Sequence, residues 1–287
     1  MSETIDPNAF RDFERSAHDR LADSYHAFFS SVTAHAAQPL LAAAKVGANT
    51  EVLDVACGSG VVAMHAARMG AHVTGVDLAP RMLELASRLN PGCTFREASV
   101  DSMPFDDETF DAIVCAFGIG HFPDPPAAVA ECARVARAGS ICAFAWWDLP
   151  ARNQMHGVVL SALDEVKPEA PADLAPGPAL FRYSEDDALL GLLESAGLCS
   201  VGVASHGFTW HLPNAEALWT ASMGCMARNS ALINAQTPEV RERIRAAFVR
   251  HATKHLTTDG LKLPMAFKVC AGAKARARPP KRGRAAD

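Results

Sequence analysis

Two glycines and one aspartate are the first residues in this chain whose types and spacing could do chemistry. Gly58 and Gly60, within Ala56-Cys57-Gly58-Ser59-Gly60, lie between a short apolar run, Glu51–Val55, and a helical one, Val61–Arg68. A turn without Cβ atoms at these positions lets a ligand lie directly against the backbone. The N–H groups that open the following helix favour an anionic part of that ligand. Asp77 ends a second apolar run, Ala71–Val76. A carboxylate at that strand tip is placed to accept both hydroxyls of an adenosine ribose. It can also cap the helix that begins at Pro80, and the two roles can coexist. Gly58-x-Gly60-x-x-Ala63 also satisfies the dinucleotide fingerprint, so the glycines alone do not name the ligand.

The elements that must position these residues follow from hydrophobic periodicity. Phe10, Phe13, Ala17, Leu21, Tyr25, Phe28 and Phe29 recur at helical spacing across residues 8–45. That segment either packs on a sheet or forms a lid over the glycine turn, with Tyr25 reaching the ligand. Strands follow at Glu51–Val55, Ala71–Val76, Cys93–Arg96, Phe110–Phe117 and Ser140–Trp147, with helices at Val61–Arg68, Pro80–Leu89 and Pro126–Ala138. This alternation predicts an α/β fold with right-handed crossovers and a parallel, doubly wound sheet. Beyond Asp148 the pattern predicts a helix at Asn153–Val166, a proline-rich connector at Pro168–Pro178 and a helix at Ser184–Ala196 opened by a capping pattern. A strand or hairpin at Leu198–His211, helices at Ala215–Asn229 and Pro238–His255, and a last strand at Leu263–Ala271 complete it.

Composition narrows the classes. The 287 residues are 49% hydrophobic, enough for a substantial core, and no apolar run is long enough to span a membrane. The acidic, polar start, Met1–Pro7, does not read as a signal or transit peptide. Eight scattered cysteines without a C-x-x-C pair read as small core residues of a reduced compartment, so a soluble, cytoplasmic protein without a metal site is expected. The net charge is −5, yet Lys274–Asp287 alone carries +5, which leaves about −10 on the body and argues against a nucleic-acid groove there. The tail reads most simply as a disordered solubilising end.

Five blocks in order carry a resemblance: Val52–Gly60, Val73–Ala79, Met103–Phe105, Phe110–Val114 and Arg134–Gly139. Together they resemble the class I S-adenosylmethionine-dependent methyltransferases, and among them the small-molecule group typified by ubiquinone and menaquinone biosynthesis. The resemblance covers residues 45–147. It implies a mostly parallel, seven-stranded Rossmann-like sheet, with an N-terminal helical lid (residues 1–45), a methyltransferase domain (46–273, with a substrate-cap insertion at 148–262) and a basic tail (274–287). It also implies a cofactor site for S-adenosylmethionine, with S-adenosylhomocysteine as product. Ala56, Gly58 and Gly60 would lie under the methionine moiety, and Asp77 would hold the ribose. Leu78 and Met82 would flank the adenine, with Ser99 and Val100 at its edge, and Phe117 would offer a carbonyl near the sulfonium. Ser99 departs from the family, which often has aspartate there, so that contact is expected to be weaker.

The resemblance also fixes where a base would stand. His121, in the loop after the fourth strand, is beside the expected methyl group and is the candidate general base for an oxygen acceptor. His206 and His211, in the cap, are lesser candidates. Trp146, Trp147, Phe181, Tyr183, Phe208, Trp210, Trp219, Met223 and Met226 supply an aromatic, apolar surface suited to a flat or hydrophobic small molecule. The expectation is therefore methyl transfer to an oxygen or carbon of a small acceptor, with monomer and homodimer both left open. Two alternatives stay open: the same fold using the cofactor without methyl transfer, and a cofactor-binding regulatory protein. Asp124-Pro125-Pro126 mimics the D-P-P turn of nucleic-acid amino-methylating enzymes, but Ala127 stands where their aromatic should be; Asp124 reads as a helix cap. A nicotinamide enzyme is disfavoured, because neither Tyr25 nor Tyr183 has a lysine four residues on.

Overall fold

The computed structural model describes residues 6–171, 174 and 177–276. Part of the expected proline-rich connector, and the basic tail from residue 277 onward, lie outside the described residues. The chain begins with one long helix, α1 (Pro7–Ala43), capped by Asp6, whose carboxylate accepts from Asn8 N and Ala9 N. The central strands follow in order: β1 (Glu51–Val55), β2 (His72–Asp77), β3 (Thr94–Glu97), β4 (Phe110–Ala116) and β5 (Ala136–Trp147). Helices α2 (Val61–Arg68), α3 (Pro80–Leu89) and α4 (Pro125–Val135) connect them. The second half adds α5 (Gln154–Val166), α6 (Asp186–Ser195), β6 (Leu198–Leu212), α7 (Ala215–Cys225), α8 (Ala227–Asn234), α9 (Pro238–Thr253), a two-residue β7 (Leu256–Thr257) and β8 (Gly260–Lys274).

The sheet runs β3-β2-β1-β4-β5-β8-β6, with β7 paired to β8 beside this path. The first five strands are parallel, whereas β8 runs antiparallel between β5 and β6. The expected seven-stranded, mostly parallel sheet is therefore present, with the short β7 as an eighth strand. β1 pairs with both β2 and β4, so the strand order reverses there. Ligands of open α/β sheets bind at the carboxyl ends of strands beside such a reversal. β1 and β4 are buried on nearly every residue, as strands covered on both faces must be.

Several boundaries differ from the expectation, each for a local reason. α4 stops at Val135, and the chain enters β5 at Ala136, where Lys274 Nζ takes the carbonyls of Arg134 and Ala136. Lys274, expected in the disordered tail, is thus the last residue of β8. Ser184 does not cap α6; its buried hydroxyl donates to Trp147 O at 2.8 Å. The single helix expected over Ala215–Asn229 breaks at Met226 into α7 and α8. Asp124 does cap α4, accepting from Ala127 N at 3.1 Å.

The first segment packs on the core with one half and lies across the strand ends with the other. Val32, Ala36, Ala37, Leu40 and Leu41 bury the C-terminal half of α1 in the core. The N-terminal half crosses the strand ends and is strapped there. Arg11 pairs with Asp101 (2.5 Å) and Arg15 with Glu97 (2.8 Å), while Asp19 accepts from Arg81 N (2.8 Å). His26 meets Ser59 Oγ at 3.0 Å. Among the described residues no helix is long and apolar enough to cross a membrane, and all eight cysteines are free thiols.

Candidate active site

Under α1, at the carboxyl ends of β1, β2 and β4, lies a cleft with about 820 Å³ of empty space, part of it open to solvent. Its wall holds nine of the ten expected cofactor residues: Ala56 and Gly58 from the turn; Asp77, Leu78 and Met82 after β2; Ser99 and Val100 after β3; Phe117 after β4; and Tyr25 from α1. Ala56 and Phe117 end their strands with φ of 52° and 61°, a left-handed conformation that costs energy in residues with a Cβ and that clusters at ligand sites. Asp77 organises the turn: Oδ2 accepts from Gly58 N and Oδ1 from Ala79 N, both at 2.9 Å. Each carboxylate oxygen keeps a lone pair for a further donor.

Two expected site residues play other parts. Gly60 is not on the cleft wall. It caps α2 with φ 79°, and a Cβ there would meet Asn90 Nδ2 at 2.6 Å, so its lack of a side chain serves packing. Ser99 lines the cleft, but its hydroxyl donates to Asp101 Oδ1 at 2.5 Å, leaving only its lone pairs for a ligand. The α2 N-terminus is likewise partly engaged, since Ala63 N donates to Asp54 Oδ2 at 3.0 Å. Asp54 is 1% exposed, and burial pushes its pKa up to about 8; its other oxygen has no partner among the described residues.

His121 sits at the end of a 3-10 turn, Ile119–His121, and its Nδ1 lies 2.9 Å from Glu14 Oε2 on α1. Glu14 is only 7% exposed. Burial opposes its charge, but His121, His18 and Arg228 more than offset this and hold its pKa below the ordinary carboxylate value. An ionised carboxylate only accepts, so His121 Nδ1 carries the proton and Nε2 keeps a lone pair. Burial opposes the imidazolium of His121 too, yet the charge and hydrogen bond of Glu14 raise its pKa above the ordinary value. His18 completes the cluster with Nδ1 3.3 Å from the same Glu14 oxygen. The three could in principle hold a metal ion, since their ligand atoms lie within 4.8 Å of one another. His18 Nδ1 is also 2.9 Å from the main-chain Glu14 O, which makes that nitrogen a donor and leaves the lone pair on Nε2. The geometry is that of one carboxylate holding two imidazoles.

Gly120 allows His121 its position, because Trp146 lies where a Cβ would be, with Cζ2 at 2.1 Å. Trp146 is pinned by its own Nε1–H bond to Leu180 O at 3.1 Å. Gly120→Ala is expected to cost about 1–3 kcal/mol of stability through overpacking. Thermal unfolding with and without S-adenosylhomocysteine checks it; an unchanged Tm would refute the packing argument.

A second cavity, about 1140 Å³, opens on the other side of this cluster. Glu14, His18, Tyr25, Phe117 and His121 line both spaces, so the two meet across them. Aromatic rings wall the second: Phe117 stacks on Trp147 (centroids 3.8 Å apart), Phe29 tilts against Trp147, and Phe10 and Phe181 close other sides. His156 and Arg228 are among its polar residues. His206 and His211 line neither space; His206 stacks on Phe267 in the antiparallel edge of the sheet. Of the cap aromatics, Trp219 packs on Phe248 and Phe208 stacks on His35, so these two build the cap itself. Sequence reasoning passed over Glu14, His18, His156 and Arg228. A trace of the first two was there: Phe10, Glu14, His18, Tyr25 and Phe29 fall on one helical face, where a charged residue in an apolar stripe asks for an explanation.

Residues 53–144 match the family model described as a methyltransferase domain. The matched segment lies in the sheet half of the chain. It takes in Ala56, Gly58, Asp77, Ser99, Phe117 and His121, the sheet side of both spaces. An uncharacterised protein of Mycobacterium tuberculosis is 35% identical over 156 residues, covering 53% of this chain and 56% of that protein. A demethylmenaquinone methyltransferase of Chlorobaculum tepidum is 38% identical over 104 residues, 36% of this chain and 43% of its own length. The chain thus spans about half the length of the curated relatives it matches. A putative methyltransferase of Bacillus halodurans superposes with a TM-score of 0.54 at 22% identity, over 83% of this chain and 98% of that one. At that identity the likeness is one of fold.

The residues present would fit S-adenosylmethionine. A Cβ on Gly58 would meet nothing within 4 Å, so the turn leaves open space against its backbone. Asp77 stands with spare acceptor capacity for ribose hydroxyls, and the apolar Leu78 and Met82 suit the faces of an adenine.

Proposed function

We propose that the protein transfers a methyl group from S-adenosylmethionine to an oxygen or carbon atom of a small aromatic or hydrophobic metabolite. The observation that carries this reading is the common wall: Phe117 and His121 border the cofactor cleft and the aromatic cavity alike. Bound cofactor would supply a methyl already activated by its sulfonium. The chain then has to align the acceptor, keep water out and take a proton. Phe117, Trp147 and Phe29 orient a flat acceptor by stacking. α1 and its straps to the strand ends close the cleft over the reacting groups. His121, with Nδ1–H held by Glu14, accepts the acceptor's proton at Nε2, and Glu14 stabilises the imidazolium so formed. An activated carbon acceptor needs less of this base and uses the same orientation.

The similarity to a demethylmenaquinone methyltransferase favours an aromatic acceptor of the quinol type. The test is turnover of methyl-labelled S-adenosylmethionine against a panel of phenols, catechols and hydroxyquinones. Labelled product from at least one of them, absent without acceptor, is the expected result. Tight S-adenosylhomocysteine binding with no turnover on any acceptor would overturn methyl transfer in favour of a cofactor-binding protein.

A further inference from the structure

The second cavity contains one polar side chain with no role in the chemistry above. His156, on the first turn of α5, is 4% exposed, and its Nδ1 is buried with no hydrogen-bond partner among the described residues. Its contacts are with rings: Trp147 at 5.5 Å and Phe181 at 5.3 Å between centroids. A buried polar group without a partner costs about 1–3 kcal/mol, and such groups in native structures ask for an explanation. Apolar packing alone would be better served by leucine or phenylalanine here.

We infer that His156 is a specificity-determining residue, which hydrogen-bonds an oxygen of the acceptor remote from the atom that receives the methyl group. This rests on the methyl-transfer reading, and it gives that reading a substrate class: a flat aromatic with a second hydroxyl or carbonyl at its far side. Three observations combine. His156 lines the aromatic cavity that shares Phe117 and His121 with the cofactor cleft. Its imidazole is neutral, because burial pulls its pKa down to about 3, with the nearby His121 a further cause. A neutral imidazole offers one N–H and one lone pair, so it can donate to a carbonyl or accept from a hydroxyl. The rings on either side leave those nitrogens few alternatives to a ligand. A site built to hydrogen-bond a substrate hydroxyl discriminates strongly against the analogue that lacks it, whereas an apolar wall does not.

The experiment is a ligand-by-variant cycle on the full chain saturated with S-adenosylhomocysteine. The probes are 2,6-dihydroxynaphthalene and 2-naphthol, which differ only by the far hydroxyl, and calorimetry reads their affinities. Wild type is expected to bind the diol about tenfold more tightly than the mono-ol, the scale of one hydrogen bond to a buried partner. In His156→Leu the preference should collapse to within about twofold while 2-naphthol affinity is retained, and His156→Gln should restore part of it. His156→Leu should also unfold at the wild-type temperature or above, since it removes an orphaned polar group, so a lost preference cannot be assigned to misfolding. Absence of the preference in wild type, its survival in His156→Leu, or failure of both probes to bind overturns the inference. The cofactor reading is tested apart from this by the S-adenosylhomocysteine titration that precedes each run. If that titration shows no binding, the methyl-transfer reading falls, and the probe comparison on the cofactor-free chain still decides for or against His156.

Discussion

His121→Ala is expected to lower methyl transfer to an oxygen acceptor by about 10²–10⁴-fold, the range a positioned base contributes. The loss should appear in kcat, with the Kd of S-adenosylhomocysteine changed by no more than a few-fold, because on the proposed reading His121 borders the cleft while Asp77 would supply the anchoring carboxylate. A parallel loss of cofactor affinity would instead make His121 a wall residue. The pH dependence separates the partners. A base acts when neutral, so the rate should rise with pH through an inflection above the ordinary histidine value of about 6.5, since Glu14 raises the pKa of His121. Glu14→Gln removes that charge and leaves burial, which opposes the imidazolium, as the dominant influence. The inflection should therefore move to lower pH, and at low pH the variant should retain more of its own maximal rate than wild type does. Its maximal rate should nonetheless fall, because the imidazolium formed in the reaction has lost its counter-charge. A pH–rate profile of kcat for wild type, Glu14→Gln and His121→Ala checks all three statements. An inflection unchanged by Glu14→Gln would refute the dyad.

Asp77→Ala is expected to weaken S-adenosylmethionine and S-adenosylhomocysteine binding by at least about tenfold, since hydrogen bonds to a charged group are worth about 1.5–3 kcal/mol. The structure adds a second route to the same loss. The Asp77 carboxylate holds Gly58 N and Ala79 N at once, so its removal also releases the turn against which the ligand would lie. Asp77→Asn separates the two: one amide oxygen can still accept from a single backbone N–H, while the charge is gone. Its affinity should fall between wild type and alanine. Calorimetric titration of both cofactors into the three proteins decides this, with thermal unfolding of the ligand-free chains showing how much of the effect is turn stability. Wild-type affinity in Asp77→Ala would sink the ribose assignment.

The two residues differ in how visible they were beforehand. Asp77 was legible because its meaning is local. It ends an apolar strand a fixed distance after a glycine turn, and a parallel sheet brings β1 and β2 side by side whatever the remainder of the chain does. The family resemblance, not spacing, pointed to Ala56, Leu78, Met82, Ser99, Val100 and Phe117, and these six line the cleft together with Gly58. Gly60 shows the limit of reading a motif: two glycines in one turn looked alike, and only the position of Asn90 reveals that one of them serves packing. Ser99 shows it again, since its hydroxyl is taken by Asp101, a neighbour two residues on that itself answers to Arg11 from α1.

By itself, then, the sequence determined the succession of strands and helices along the chain, the parallel, doubly wound sheet they form and the carboxylate at the tip of β2. These rest on periodicity and turn chemistry, which act over a few residues. Tertiary structure alone decided that Glu14 meets His121 across 107 positions of chain, that α1 closes the cleft, and that His156 faces an aromatic cavity. Those pairings depend on how a helix lying outside the sheet crosses the strand ends. Only the summed burial of the C-terminal half of α1 and the ion pairs of its N-terminal half set that crossing, and no spacing along the chain encodes it.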